Sequence, residues 1–95
     1  MLKFQREILK EFEPLKKKKI KIILFGSVAK GNYKLDSDID LAIISDKEEI
    51  KKEAEEIADK ILFKYGKVVS LKFLSKSELN KKTPFIKEVL KGKVI

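Results

Sequence analysis

Two short apolar runs, Ile20 to Phe25 and Ile39 to Ile44, set the strongest constraint on how this chain can fold. Both are rich in β-branched residues, and they are closed by Gly26 and by Ser45-Asp46. Apolar at nearly every position rather than at every second one, they read as strands covered on two faces. The clearest candidate cover is Lys47 to Tyr65. There Ile50, Ala54, Ile57, Ala58, Ile61, Leu62 and Tyr65 recur at helical spacing, so one face is apolar and the rest charged. Asp46 is the expected N-cap, Glu48 and Glu49 occupy the first turn, and Gly66 supplies the stop. Leu2 to Phe12 predicts a first helix that ends before Pro14, with the lysines 16 to 19 as a charged link. Val68 to Leu74 predicts a third strand. Ser75 to Glu78 has capping-box spacing, and Pro84 to Leu90 predicts a last helix ending at Gly92. The order is α-β-(α)-β-α-β-α, an α/β (α+β) chain with one small three-stranded sheet flanked by helices. Gly26 to Asp38 is close to the shortest parallel crossover, so the spacing leaves open how the first two strands run.

Ninety-five residues, 43% of them hydrophobic, fit one domain over 1–95. With no cysteine and no histidine, thiolate sites, cysteine nucleophiles, Ser-His-Asp chemistry and histidine-bound zinc are excluded. A metal here must sit on oxygen, which suits Mg, Mn or Ca. Lys and Arg number 23 against 15 Asp and Glu, a net charge of +8, and Arg6 is the one arginine. That balance favours an anionic partner such as nucleotide, nucleic acid or an acidic protein surface, or else simply solvates a lysine-rich exterior. No apolar run approaches the ~20 residues of a membrane span and no signal-peptide core is visible, so the expected location is cytoplasmic, away from membranes.

The chemistry concentrates between the two apolar runs. Asp38 and Asp40, two apart at a strand entrance, point to the same face while Ile39 turns into the core. Alone, an Asp-x-Asp is an ordinary solvated strand edge. As a pair, the two carboxylates can reach a shared divalent ion, or one ion each of a close pair, as phosphoryl transfer uses. At the other end of the loop, Gly26 has no side chain to block a phosphate. Ser27 offers a hydroxyl and the exposed N–H groups of a helix start, or serves merely as its N-cap. Lys30 adds positive charge to the same stretch.

With ten residues between Ser27 and Asp38, the stretch matches the Gly-Ser-x10-Asp-x-Asp signature of the DNA polymerase β-like nucleotidyltransferase superfamily; Gly31, Ser37 and Leu41 strengthen the match. In length and layout the whole chain resembles the minimal nucleotidyltransferases (MNT), small partners of HEPN-domain toxins. The resemblance implies a mixed sheet with the Gly-Ser turn facing the Asp-x-Asp strand across the nucleotide. It implies that Gly26 and Ser27, with Lys30 and Ser37, line the nucleotide site, and that Asp38 and Asp40 bind Mg2+ (or Mn2+). It implies AMP transfer from ATP to a tyrosine hydroxyl of a HEPN-type partner, within a hetero-oligomer. Two positions depart from the pattern. Active members usually carry a third carboxylate on the third strand, where this chain has Ser70, and many such antitoxins have arginine where this chain has Val28.

Three functions follow for comparison. The first is a Mg-dependent nucleotidyltransferase acting on a protein partner as its antitoxin. The second, favoured by Ser70, is a catalytically weak or inactive nucleotide-binding module that neutralises or regulates its partner by contact alone. The third, a basic nucleic-acid-binding protein, rests on charge only, because no stacking platform accompanies it. A partner would dock on the third strand, if it is a sheet edge, or on Phe85 and Ile86, which read more simply as closing core contacts.

Overall fold

The computed structural model describes residues 3–26 and 38–95. Four strands form one sheet in the order β3-β2-β1-β4, with β1 at Lys21–Phe25, β2 at Ile39–Ile44, β3 at Val69–Leu74 and β4 at Lys93–Val94. β1 and β2 run antiparallel, Lys21 opposite Ile44 and Phe25 opposite Asp40. β2 and β3 are parallel, with Ile39 opposite Val69 and Asp40 opposite Ser70. Parallel neighbours need a long crossover, and the 18-residue helix Glu48–Tyr65 lies between them in the chain. The sheet is therefore mixed, as expected, and the direction left open by the loop length resolves to antiparallel.

The three strands expected from the sequence are joined by a fourth, β4. Two residues are too short to show any alternation. Val94 lies opposite Ile23, and the Ile95 N–H donates to the Ile22 carbonyl at 3.0 Å. Gly92, expected only as a helix stop, lets the chain approach this closely, because a β-carbon there would run into the Leu24 carbonyl.

Alternation along the strands divides the core between the two faces. Ile22, Leu24, Ile39, Leu41, Ile43 and Val69 pack with Ile8, Leu9, Phe12 and Leu15 of the N-terminal helices and with Ile50, Ala54 and Ile61 of the long helix. Ile23, Phe25, Ala42, Ile44 and Leu74 pack on the other side with Ile86 and Val89 of the helix Pro84–Leu90. Each fully buried aliphatic side chain contributes roughly 1.5–3 kcal/mol of transfer free energy, so the central strands hold the sheet from both faces.

Helices are numbered in chain order: α1 (Lys3–Leu9), α2 (Glu13–Lys17), α3 (Glu48–Tyr65) and α4 (Pro84–Leu90). Pro14 does not end the first helix. The break is a tighter turn at Lys10–Phe12, and Pro14 instead opens α2, where its missing N–H has no intrahelical acceptor to lose. Lys16 and Lys17 thus belong to α2 rather than to a link. The N-cap position of α3 is Lys47, not Asp46; its N–H donates to Ser45 Oγ at 3.2 Å. Leu62, expected on the apolar face of α3, lies half exposed at its margin. Gly66 stops α3 in the left-handed conformation (φ +66°), its N–H donating to the Leu62 carbonyl at 2.9 Å. The Ser75–Glu78 capping box forms in both directions. The Ser75 N–H donates to Glu78 Oε1 at 3.1 Å, and the Glu78 N–H to Ser75 Oγ at 3.3 Å.

After α2 the chain turns through Lys19, a lysine in the left-handed region (φ +62°). The Ile20 N–H donates to the Leu15 carbonyl and the Lys19 N–H to that of Lys16, the paired bonds of a Schellman stop that favours glycine at this position. Lys19→Gly should therefore stabilise the protein by up to about 1 kcal/mol, since relief of left-handed strain exceeds the added unfolded-state entropy. In thermal unfolding this reads as an upward shift of about 4–8 °C per kcal/mol. A lower melting temperature would show that the lysine side chain itself holds the turn. Among the described residues no helix is long and apolar enough to cross a membrane.

Candidate functional site

β2 begins at Ile39, whose side chain is fully buried, so the pleat sends Asp38 and Asp40 to the other face. That face is the one covered by α4, which packs further along the sheet on Ala42 and Ile44. Asp38 is exposed just before the strand and Asp40 is half-buried within it. Phe25 lies opposite Asp40 on one side and Ser70 on the other. The Phe25 ring meets the part-exposed Phe85 of α4 edge-on, centroids 5.8 Å apart, so Phe85 is less enclosed than Ile86 beside it.

Gly26 follows β1 with φ +79° and lies directly against Asp40. A β-carbon at residue 26 would overlap Asp40 Oδ2 and stand 3.1 Å from Cγ. The glycine thus makes room for a carboxylate, a requirement beyond the phosphate access expected of it. Of the site residues expected from sequence, the structure brings Gly26, Asp38 and Asp40 to one end of the sheet. Ser27, Lys30 and Ser37 lie outside the described residues, as does Val28.

Burial first, and then the neighbouring charge of Asp38, push the Asp40 carboxyl above its usual range, while Lys72 opposes them. Two converging carboxylates, one partly desolvated, make a place where a cation relieves a real electrostatic cost. Among the described residues no group of three or more acidic side chains gathers to hold a metal. Two carboxylate arms fit a Mg2+ or Mn2+ ion whose remaining positions are filled by phosphate oxygens and water, the common arrangement for magnesium.

Lys72 was missed in the sequence reading. It lies two residues beyond Ser70 on β3 and therefore on the same face, diagonal to Asp40 across the parallel pair. The alternation within Val69–Leu74 was legible, but which strand lay beside it was not. Lys67, two residues before β3, is also buried, which is rare for lysine. The third-strand position where a carboxylate was expected is Ser70, directly beside Asp40. A hydroxyl there supplies neither charge nor a base at neutral pH.

A family model described as a nucleotidyltransferase domain matches residues 4–95. Two proteins of Methanocaldococcus jannaschii are similar over most of their length. "Putative protein adenylyltransferase MJ0604" is 37% identical over 83 residues, 82% of this chain and 81% of the relative. "Putative protein adenylyltransferase MJ0141" is 37% identical over 91 residues, 87% and 89% of the two chains. No solved structure matches the chain. With a mixed sheet that seats Asp40 against Gly26 and sets Asp38 on the same face, and a family match running through nearly every residue, this chain belongs to the nucleotidyltransferase domain family.

Proposed function

We propose that this protein transfers AMP from ATP to a tyrosine hydroxyl of a HEPN-type partner and so silences it. The observation that carries the reading is the convergence of Asp38 and Asp40 on one face, with the Asp40 carboxylate seated against Gly26. The resemblance to minimal nucleotidyltransferases and the names of the two archaeal relatives support a protein acceptor. Asp38 and Asp40 would hold Mg2+, which supplies charge neutralisation to the phosphates when bound. The acceptor oxygen bonds to the α-phosphorus, the bond from that phosphorus to the bridging oxygen breaks, and pyrophosphate leaves. With no base at Ser70, the hydroxyl proton leaves to water or to another group. A missing acid-base contributor costs about 10²- to 10⁴-fold in rate, so slow turnover is expected.

The test is transfer of label from ATP labelled at its α-phosphate, with Mg2+, to this protein and to the product of a neighbouring gene. Label on the partner, lost in the Asp38→Asn, Asp40→Asn variant, supports the transfer. Silencing of the partner by that variant as well, without label, would replace it with the second reading, favoured by Ser70, in which the protein neutralises by contact alone.

A further inference from the structure

At the opposite end of the sheet from Asp38 and Asp40, a cleft of about 460 Å³ opens where three segments of the chain meet. The turn Lys18 to Ile20 enters β1 there, β2 leaves through Ser45 to Lys47, and β3 leaves through Ser75 to Ser77. Ile44, which lines the cleft, lies beyond Asp40 along β2 by about 13 Å at a rise of about 3.3 Å per residue. The cleft is therefore separate from the site at the Gly26 end. Its walls are basic and hydroxylic. Lys19, Lys47 and Lys76 line it, all exposed, and no ion pair among the described residues engages them. Lys18 lines it as well but is held by Glu53 of α3 at 2.6 Å, and Asp46 is the one carboxylate among the described lining residues. Ser45 Oγ accepts the Lys47 N–H at 3.2 Å and has its own hydrogen left to donate. No aromatic ring among the described residues lines the cleft, so it offers charge and hydroxyl groups rather than a surface for stacking.

Lys19 is the residue that points to a ligand. Its backbone is left-handed (φ +62°) at the stop of α2, and the stop of α3 meets the same demand with Gly66 (φ +66°). A β-carbon at residue 66 would meet nothing within 4 Å, so conformation alone accounts for that glycine. Residue 19 lies under the same conformational demand but lines the cleft, and there the chain carries lysine. A side chain kept at a cost where glycine would serve has a use that the turn itself does not supply. Bringing a third uncommitted ammonium group to one cleft concentrates like charge, and an anion seated among the three relieves it.

We propose that this cleft binds a phosphate group, free or in a nucleic-acid backbone, through Lys19, Lys47 and Lys76 together with the Ser45 hydroxyl. Phosphate suits it better than carboxylate, because a phosphate presents more acceptor oxygens and so takes several point-charge lysines and a hydroxyl at once. The inference stands apart from the nucleotide reading: neither Asp38 nor Asp40 takes part in it.

The probe is inorganic phosphate, titrated in chelator into isotope-labelled protein and followed by the backbone amide resonances. Saturable shifts at Ser45, Lys47 and Lys76 are expected. Shifts that do not saturate, or that centre on Gly26 and Asp40, would overturn the proposal. Lys19→Gly combined with Lys76→Ala should weaken binding about tenfold, the loss of two exposed charge contacts. Lys91→Ala combined with Lys93→Ala removes the same charge near Leu24, toward the other end of β1, and should leave the affinity unchanged. Equal weakening by the two pairs would show that net charge alone attracts the anion, and the site would fall. Lys19→Gly by itself is expected to raise the melting temperature, so weaker binding by that variant separates a role in binding from damage to the fold. A single-stranded oligonucleotide then distinguishes the sources. Displacement of phosphate from the same residues at far lower concentration assigns the group to a nucleic-acid backbone, and displacement no stronger than that by phosphate itself assigns it to a small phosphate compound. A poly-glutamate peptide that binds these residues as tightly as either would overturn phosphate as the ligand.

Discussion

Replacing Asp38 and Asp40 together by asparagine will lower the proposed AMP transfer by about 10³-fold or more, yet in chelator the variant will melt higher than the wild type. The loss follows, on the proposed reading, from removing both carboxylates that would hold the ion at the phosphates, an effect worth several kcal/mol in the transition state. The gain follows from the Asp40 environment. Burial and the Asp38 charge raise its carboxyl above the ordinary 3.8 in the folded state. Between the ordinary and the raised value the folded state binds more protons than the unfolded chain, so stability falls as pH rises through that window. At neutral pH the ionised Asp40 is therefore a cost, and a neutral amide of nearly the same shape removes it. Thermal unfolding in chelator and in Mg2+ checks both halves. The wild type should gain from the ion and the variant should not. A variant that melts lower in chelator would show that the two carboxylates instead hold the strand entrance together.

Gly26→Ala is expected to damage fold and site at once. A residue with a β-carbon pays about 1–2 kcal/mol for the left-handed conformation that Gly26 adopts, and here that carbon also meets the Asp40 carboxylate. Either the end of β1 shifts or Asp40 rotates out of the site. The total cost should reach about 2–3 kcal/mol, with nucleotide binding lost in parallel. Gly66→Ala is the matched control: its φ is +66°, but a β-carbon there meets nothing within 4 Å. That variant should lose only the conformational part, about 1 kcal/mol, and keep its nucleotide affinity. Equal effects of the two substitutions on stability and affinity would mean that the close seat of Asp40 on Gly26 has no consequence.

Much of the architecture was legible because each strong element carries its own local reason. The α3 pattern, its glycine stop and the Ser75–Glu78 box depend on neighbours within a few residues, and all three form as the sequence predicts. Where local signals compete, the tertiary context decides. Pro14 is equally at home just after one helix or at the first turn of the next, and the buried positions of Phe12 and Leu15 favour the second arrangement. Asp46 is a good capping residue, but the chain needs Lys47 in an extended conformation to enter α3, so Ser45 does the local bonding.

The sequence by itself determined that Asp38 and Asp40 share a face, because side-chain alternation along a strand is intrinsic to the extended backbone and Ile39 must be buried. It likewise determined that β1 and β2 are covered on both sides, since their apolar residues leave no face for water. Only the tertiary structure decided what stands beside those aspartates. Strand order and register are non-local: Ser70 and Lys72 reach the site because β3 pairs in parallel with β2, and β4 reaches β1 because Gly92 has no side chain. No periodicity within a strand encodes which strand lies next to it. The pairing follows from the packing of α3 and α4 on opposite faces of the sheet, a property of the whole chain rather than of any segment.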